Sequence, residues 1–280
     1  MVFKQENRKY KLGLALSGGG ARGFAHIGVF RLLEECGLRP DIIAGTSAGA
    51  LMGTLYADGY TPDEIMSLFT GREFSEFASA QFPKMGLFDS SKFHTYIKKI
   101  IRAEKFEDLQ IPMIVMATNL DHGKAHAFGK GPIAEAITAS CSVPILFNPV
   151  IIDGFCYVDG GLFHNFPVSI IRDECDAVIG SNVSPVVPGK YNKNIIGIAE
   201  RSYHYLFRSN TEKDRELCDI LIETNEFGKY KMFDLKKVEL IVRIGYNAAV
   251  HAFDEYLNNK PIIKLIKSFS DKKDKQTITQ

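Results

Sequence analysis

Residues 41–58 read D-I-I-A-G-T-S-A-G-A-L-M-G-T-L-Y-A-D, and the way this stretch folds decides the architecture around it. Asp41 to Ala44 is a brief apolar strand, and from Ala50 to about Asp58 small and apolar residues continue as a helix. Between them G-T-S-A-G, Gly45 to Gly49, must turn the chain sharply from strand to helix. Such a turn tolerates only tiny neighbours, and Gly45, Ala48 and Gly49 comply. The same order of elements occurs one unit upstream. K-L-G-L-A-L-S, Lys11 to Ser17, reads as a buried strand leading into a glycine-rich turn. Phe24 to Cys36 then carries apolar residues at 24, 27, 29, 30, 32 and 33, the spacing of a helix, and G-L-R-P-D, Gly37 to Asp41, stops it. Strand, helix, strand and helix within about fifty residues require parallel strands joined by right-handed crossovers.

The pattern continues downstream. Ile111 to Ala117 and Asp176 to Val183 read as strands, Ile133 to Ala139 as a helix, and Asp219 to Thr224 as a last strand. Val150 to Val158 reads as a hairpin around Asp153-Gly154. A terminal helix falls within Asp234 to Leu257. With no linker and no internal repeat, the expectation is one α/β domain over residues 11–258, with helices on both faces of a mostly parallel sheet. An N-terminal extension (1–10) and a lysine-rich C-terminal tail (259–280) flank it. The aromatic segment Leu68 to Phe93, with Phe69, Phe74, Phe77, Phe82, Phe88 and Phe93, admits two readings: core, or a greasy flap over an apolar site.

Bulk composition excludes several classes. With a net charge of +1 the chain lacks the basic excess of a nucleic-acid partner. Its five cysteines are widely spaced with no C-x-x-C pair, which reads as buried free thiols in a reducing compartment. The polar first eleven residues contain no signal peptide, and no apolar run reaches the about 18 residues of a membrane span. The expectation is a soluble, cytoplasmic protein whose tail from Lys264 is a solvated end, with a weak membrane-surface contact as the lesser reading. Asp173, Glu174 and Asp176 read as a solvated turn, and no metal motif is present. Nothing in the sequence specifies an oligomeric state.

The chemistry concentrates in two glycine-rich turns. Gly18, Gly20 and Gly23 fit G-x-G-x-x-G, which would cradle a pyrophosphate in a nucleotide-binding oxidoreductase, with Asp41 as the ribose-binding acid. The same free N–H groups could instead hold an oxyanion during acyl transfer. G-T-S-A-G in strand–turn–helix context makes Ser47 a candidate nucleophile, aimed off the sheet edge beside a helix N-terminus. A serine hydroxyl needs a base. His26 packs in the first helix and His122 and His126 lie in an interstrand turn, which leaves Asp159 with His164, or Asp159 alone. Spacing does not choose between a Ser–Asp–His triad and a Ser–Asp dyad.

Three blocks in order, S-G-G-G-A-R-G (Ser17 to Gly23), G-T-S-A-G (Gly45 to Gly49) and D-G-G (Asp159 to Gly161), resemble the patatin-like phospholipases, most of all their short bacterial members. A-H-I-G from Ala25, P-M-I-V-M-A-T-N-L from Pro112, A-S-C-S-V-P from Ala139 and Asn165-Phe166-Pro167 add weaker similarity, so the resemblance covers roughly residues 10 to 255. It implies a three-layer α/β/α sandwich and a serine–aspartate dyad without histidine. On this resemblance Ser47 is the nucleophile, framed by Gly45, Thr46, Ala48 and Gly49, and Asp159 is the base, followed by Gly160 and Gly161. Backbone N–H groups of Gly18, Gly19, Gly20, Ala21, Arg22 and Gly23 would form the oxyanion hole, with Arg22 at the family's basic position. Ser17 stands where some members carry an acid, which bears on how the loop is anchored. The implied substrate is a lipid ester (phospholipid, lysophospholipid or neutral lipid), met in solution or at a membrane surface, with no metal or cofactor. A catalytically silent scaffold retaining the fold is the other reading the resemblance leaves open.

Overall fold

Leu12, Leu14 and Leu16 point to one side of their strand, while Gly13 and Ala15 point to the other. Both sides are buried, as a central strand covered by two layers demands. The computed structural model describes residues 8–77, 79–80, 86–185, 191, 193–231 and 235–259. Most of the N-terminal extension, Phe82, the side chain of Phe74 and nearly all of the lysine-rich tail lie outside the described residues. The first half of the chain holds β1 (Tyr10–Leu16), α1 (Ala25–Glu35), β2 (Ile42–Thr46), α2 (Ala48–Ala57), α3 (Pro62–Phe69), β3 (Ser79–Ala80), β4 (Gly86–Asp89), α4 (Ser91–Ile100), β5 (Met113–Asn119) and β6 (Lys124–Phe128). The second half holds α5 (Ile133–Ser140), β7 (Ile145–Phe147), β8 (Val150–Ile152), β9 (Phe155–Asp159), β10 (Cys175–Asn182), α6 (Ile195–Glu216), β11 (Ile220–Glu223) and α7 (Val238–Asn259).

The main sheet runs β11-β10-β1-β2-β5-β9-β8, with β6 also pairing β5. The pairs from β11 to β5 are parallel, and β9, β8 and β6 add antiparallel ones. Asp153 and Gly154, both at positive φ (50° and 82°), close the β8–β9 hairpin as the dipeptide predicts. In the β1–β2 register Leu16 lies opposite Gly45, so the two glycine-rich turns leave the same sheet edge side by side. Leu12, Leu14, Leu16 and Ile43 join the large core built with α1, α2, α3, α5 and α7. Ala15, Ile42 and Ala44 face the opposite core, covered by Phe166, Val168 and Ile171. The expected mostly parallel sheet between two covering layers is the fold observed.

Several elements escaped the sequence reading. α3 opens on T-P-D-E, where Thr61 and Glu64 form a reciprocal capping box, a signal legible in the sequence. The sequence reading does not contain α6, whose described side chains do not show an apolar face turned to the core. Ile195, Ile198, Tyr205 and Leu206 are exposed, whereas Thr211 and Asp214 are buried, the latter accepting the Ser169 N–H from the loop after β9. His126 sits in β6 and not in the turn expected of it. In the aromatic segment both readings hold in part. Phe69 and Phe77 are buried in the core, and with Phe93 they also line the pocket that holds Ser47, while Phe88 belongs to the small sheet β3-β4-β7. All five cysteines are free, but only Cys175 is fully buried and Cys36 is exposed, contrary to the expectation of uniform burial. Among the described residues no helix is long and apolar enough to cross a membrane.

Candidate active site

β2 ends at Thr46 and α2 begins at Ala48, so a single residue, Ser47, makes the turn. It does so at φ 52° and ψ −120°, a conformation that side-chain-bearing residues rarely adopt. The turn closes this tightly because Gly45 and Gly49 have no side chains. A Cβ on Gly49 would sit 2.3 Å from the Leu16 carbonyl oxygen, and one on Gly45 would sit 2.6 Å from the Gly49 backbone. The Ser47 N–H donates to Ser140 Oγ (2.8 Å), and that hydroxyl donates onward to Met116 O (2.6 Å). Thr46 Oγ1 donates to His164 O at 2.7 Å.

Asp159 ends β9, where its backbone is fixed from two sides. Its N–H donates to Ser142 O (2.9 Å), and its carbonyl accepts from Thr118 Oγ1 (3.0 Å). Oδ1 accepts the Gly161 N–H at 2.7 Å. Oδ2 is buried without a partner at full hydrogen-bond geometry, yet the Ser47 hydroxyl lies close enough to act on the carboxylate. Burial pushes the Asp159 carboxyl up to about 7, while the Gly161 N–H and the Ser47 hydroxyl pull it down. A carboxylate of that pKa is a far stronger base than an ordinary one near 4. Cys141 adjoins the same pair. Its thiol is reachable through the pocket but densely surrounded, and burial, with Asp159 nearby, holds its pKa well above the usual range.

The glycine-rich loop is anchored by its first residue. The Ser17 N–H donates to Ser181 O (3.0 Å), and Ser17 Oγ accepts from Val183 N (2.9 Å). Buried His26 adds a third tie. Its Nε2–H donates to Ser17 O (3.0 Å) and its Nδ1 accepts from Ser181 Oγ (2.9 Å), and burial lowers its pKa to about 4, so it is neutral. Within the loop the Gly18 N–H is taken by Asn165 O (3.0 Å) and the Arg22 N–H by Gly19 O (3.3 Å). The Gly19 and Gly20 amides have no partner among the described residues, and both glycines line the pocket with Ser47. Of the amides expected as donors from Gly18 to Gly23, those of Gly18 and Arg22 are thus engaged within the protein. The Arg22 side chain is buried, with Nε donating to Tyr230 O (2.8 Å), so it braces the loop from behind.

The pocket over these groups has a volume of about 140 Å³. Gly19, Gly20, Ser47 and Asp159 form its polar end, and Phe24, Leu51, Phe69, Phe77 and Phe93 are among its apolar walls. No histidine lines it among the described residues. His164, the triad candidate, turns its ring elsewhere: Nε2 lies 3.2 Å from Asp214 Oδ2 and 3.1 Å from Ser169 Oγ. Asp41, the ribose candidate, accepts the Lys11 and Leu12 N–H groups (both 2.9 Å) at the opposite end of β2, so the nucleotide site is not assembled.

The family profile described as Patatin-like phospholipase matches residues 14–171, more than half of the chain. The chain belongs to the patatin-like phospholipase family. Among similar proteins, patatin-like phospholipase domain-containing protein 7 of Rattus norvegicus is 25% identical over 295 residues, covering 91% of this chain and 21% of the relative. Lysophospholipase NTE1 of Mycosarcoma maydis is 36% identical over 169 residues, covering 57% of this chain and 9% of the relative. An NTE family protein of Mycobacterium bovis is 35% identical over 164 residues, covering 58% and 45%. The chain thus spans less than half the length of these three relatives. VipD from Legionella pneumophila shares the fold, with a TM-score of 0.50 at 15% identity over 89% of this chain and 67% of that one.

In this patatin-like site several supporting residues went unrecognised in the sequence. Ser140, Ser142 and Thr118 hold the Ser47 turn and the Asp159 backbone, yet each looks like an ordinary small polar residue near an element end. α6 adds a clamp: Asn210 Nδ2 donates to Gly161 O (2.9 Å) and its Oδ1 accepts from Asn165 N (3.1 Å). Among the described residues no group of three or more His, Cys, Asp or Glu side chains is arranged to hold a metal ion.

Proposed function

We propose that this patatin-like chain is a serine acyl hydrolase acting on carboxyl esters of lipids, with Ser47 as nucleophile, Asp159 as base and residues 11–258 as the hydrolase unit. The observation that carries the reading is the strained Ser47 beside a buried Asp159 raised to about 7, at the polar end of an otherwise apolar pocket. In its ionised form Asp159 accepts the proton of Ser47 as Oγ bonds to the ester carbonyl carbon. Negative charge passes to the carbonyl oxygen, where the Gly19 and Gly20 N–H groups and the N-terminus of α2 at Ala48 face it. Collapse breaks the ester C–O bond, and the leaving alcohol takes the proton from Asp159. Water then attacks the acyl-serine, gives its proton to Asp159, and the fatty acid leaves as Ser47 recovers its hydrogen.

The apolar walls receive the acyl chain, which supports a lipid substrate over a polar ester. Relatives named lysophospholipase make a phospholipid or lysophospholipid the first substrate to test. The decisive experiment compares wild type with Ser47→Ala on a long-chain nitrophenyl ester, a phospholipid and a lysophospholipid, with fluorophosphonate labelling in parallel. Cleavage and labelling are expected in the wild type alone. A folded Ser47→Ala protein with wild-type turnover would overturn the assignment.

A further inference from the structure

Three of the four buried side-chain atoms that lack a hydrogen-bond partner among the described residues belong to Asp159 and Asn165. Asp159 Oδ2 has a role in the reading above. The Asn165 carboxamide has none. The residue is 0% exposed, and neither Oδ1 nor Nδ2 is bonded. Its backbone, in contrast, is fully engaged: the N–H donates to Asn210 Oδ1 (3.1 Å) and the carbonyl accepts the Gly18 N–H (3.0 Å). The side chain packs on the same glycine. A Cβ built on Gly18 would lie 2.5 Å from Asn165 Oδ1 and 3.2 Å from Ser47 Cβ, so carboxamide and serine converge on one point.

Burying an unbonded carboxamide destabilises a fold, because both its donor and its acceptor lose water without replacement. A leucine of similar size would serve packing better, and Phe166 and Val168 beside it are fully buried apolar residues. A polar group retained at such a place serves something other than stability. Resting on the Ser47–Asp159 reading, we propose that Asn165 is a positioning residue for acyl transfer. Its carbonyl and side chain seat Gly18, which aims the Gly19 and Gly20 amides at the ester oxygen. Its carboxamide dipole, free of resting-state bonds, answers the charge that develops beside Ser47 during attack. An amide already locked into a network would have to break a bond to do so.

The test measures kcat, KM and thermal unfolding for wild type, Ser47→Ala, Asn165→Leu and Asn165→Asp with a nitrophenyl ester. Asn165→Leu is expected to lower kcat by about 10- to 100-fold with KM within about twofold, at an unchanged or higher Tm. Asn165→Asp keeps the shape and guards against a variant that fails to fold. It is expected to move the rise of activity near pH 7 to higher pH, since the introduced carboxylate repels ionised Asp159 and raises its pKa. The proposal is overturned if Asn165→Leu keeps wild-type kcat, or if its activity falls only in step with the folded fraction, or if Asn165→Asp keeps the wild-type pH profile. Should Ser47→Ala itself remain active, the underlying acyl-hydrolase reading fails instead, and the two failures are told apart.

Discussion

Replacing Asp159 with asparagine separates what this carboxylate costs the fold from what it does for the reaction. Burial raises its pKa from 3.8 to about 7, so the folded state resists ionisation that the unfolded chain accepts. The stability linked to this group is fully present below about pH 4, is lost as pH rises to about 7, and stays lost above. A difference of about 3 pKa units corresponds to about 4 kcal/mol, the amount by which ionised Asp159 destabilises the protein above pH 7. Asparagine keeps an acceptor for the Gly161 N–H but cannot ionise. Asp159→Asn is therefore expected to be more stable than wild type by up to about 4 kcal/mol at pH 8, and by a small fraction of that near pH 4. At about 2–4 °C per kcal/mol, the pH 8 gain is a rise of roughly 10 °C in Tm. Urea and thermal denaturation of both proteins at pH 4, 6 and 8 measure it, while ester hydrolysis should be lost throughout. An equal gain at every pH, or a loss of stability at pH 8, would refute the argument that burial of this carboxylate is the source of its raised pKa. The same pKa makes wild-type kcat/KM climb through about pH 7 to a plateau.

Two further substitutions probe the supports of the site. Ser140→Ala leaves the Ser47 N–H without its acceptor; a loss of about 1–3 kcal/mol in urea denaturation and a clear drop in kcat are expected. If the variant matched wild type in both, the strained turn would not depend on that bond. Phe77→Ala enlarges the apolar pocket where Phe77 meets Tyr96 edge-to-face at 5.0 Å between ring centres. Across a series of nitrophenyl esters its preference should move to longer acyl chains; an unchanged preference would mean that the acyl chain lies elsewhere.

How much of this was legible beforehand depended on the range of the physics involved. The Ser47 turn was readable because its requirement is local sterics: Gly45 and Gly49 face backbone within 3 Å, and their identity announces it. α3 was equally local, through Thr61 and Glu64. α6 was not: among its described side chains Ile195, Ile198 and Tyr205 face outward while polar Thr211 and Asp214 are buried, the reverse of the stripe by which helical periodicity is normally read. The glycine loop reads in sequence as six equivalent amides, and in the fold those of Gly18 and Arg22 are bonded internally. Only the arrival of Asn165 O at the Gly18 N–H tells which amides remain.

The sequence by itself determined the alternation that makes β1 and β2 adjacent parallel strands, the two glycine-rich turns at their ends, and the order of motifs that matches the family. These follow from side-chain size, backbone freedom and periodicity, which each residue carries with it. Tertiary structure alone decided that His164 pairs with Asp214, that Asp41 caps the start of β1, and that Asp159 is dry enough to hold a proton near neutrality. Desolvation and hydrogen-bond pairing are properties of neighbourhoods assembled from distant segments. No residue contains them before the chain has folded.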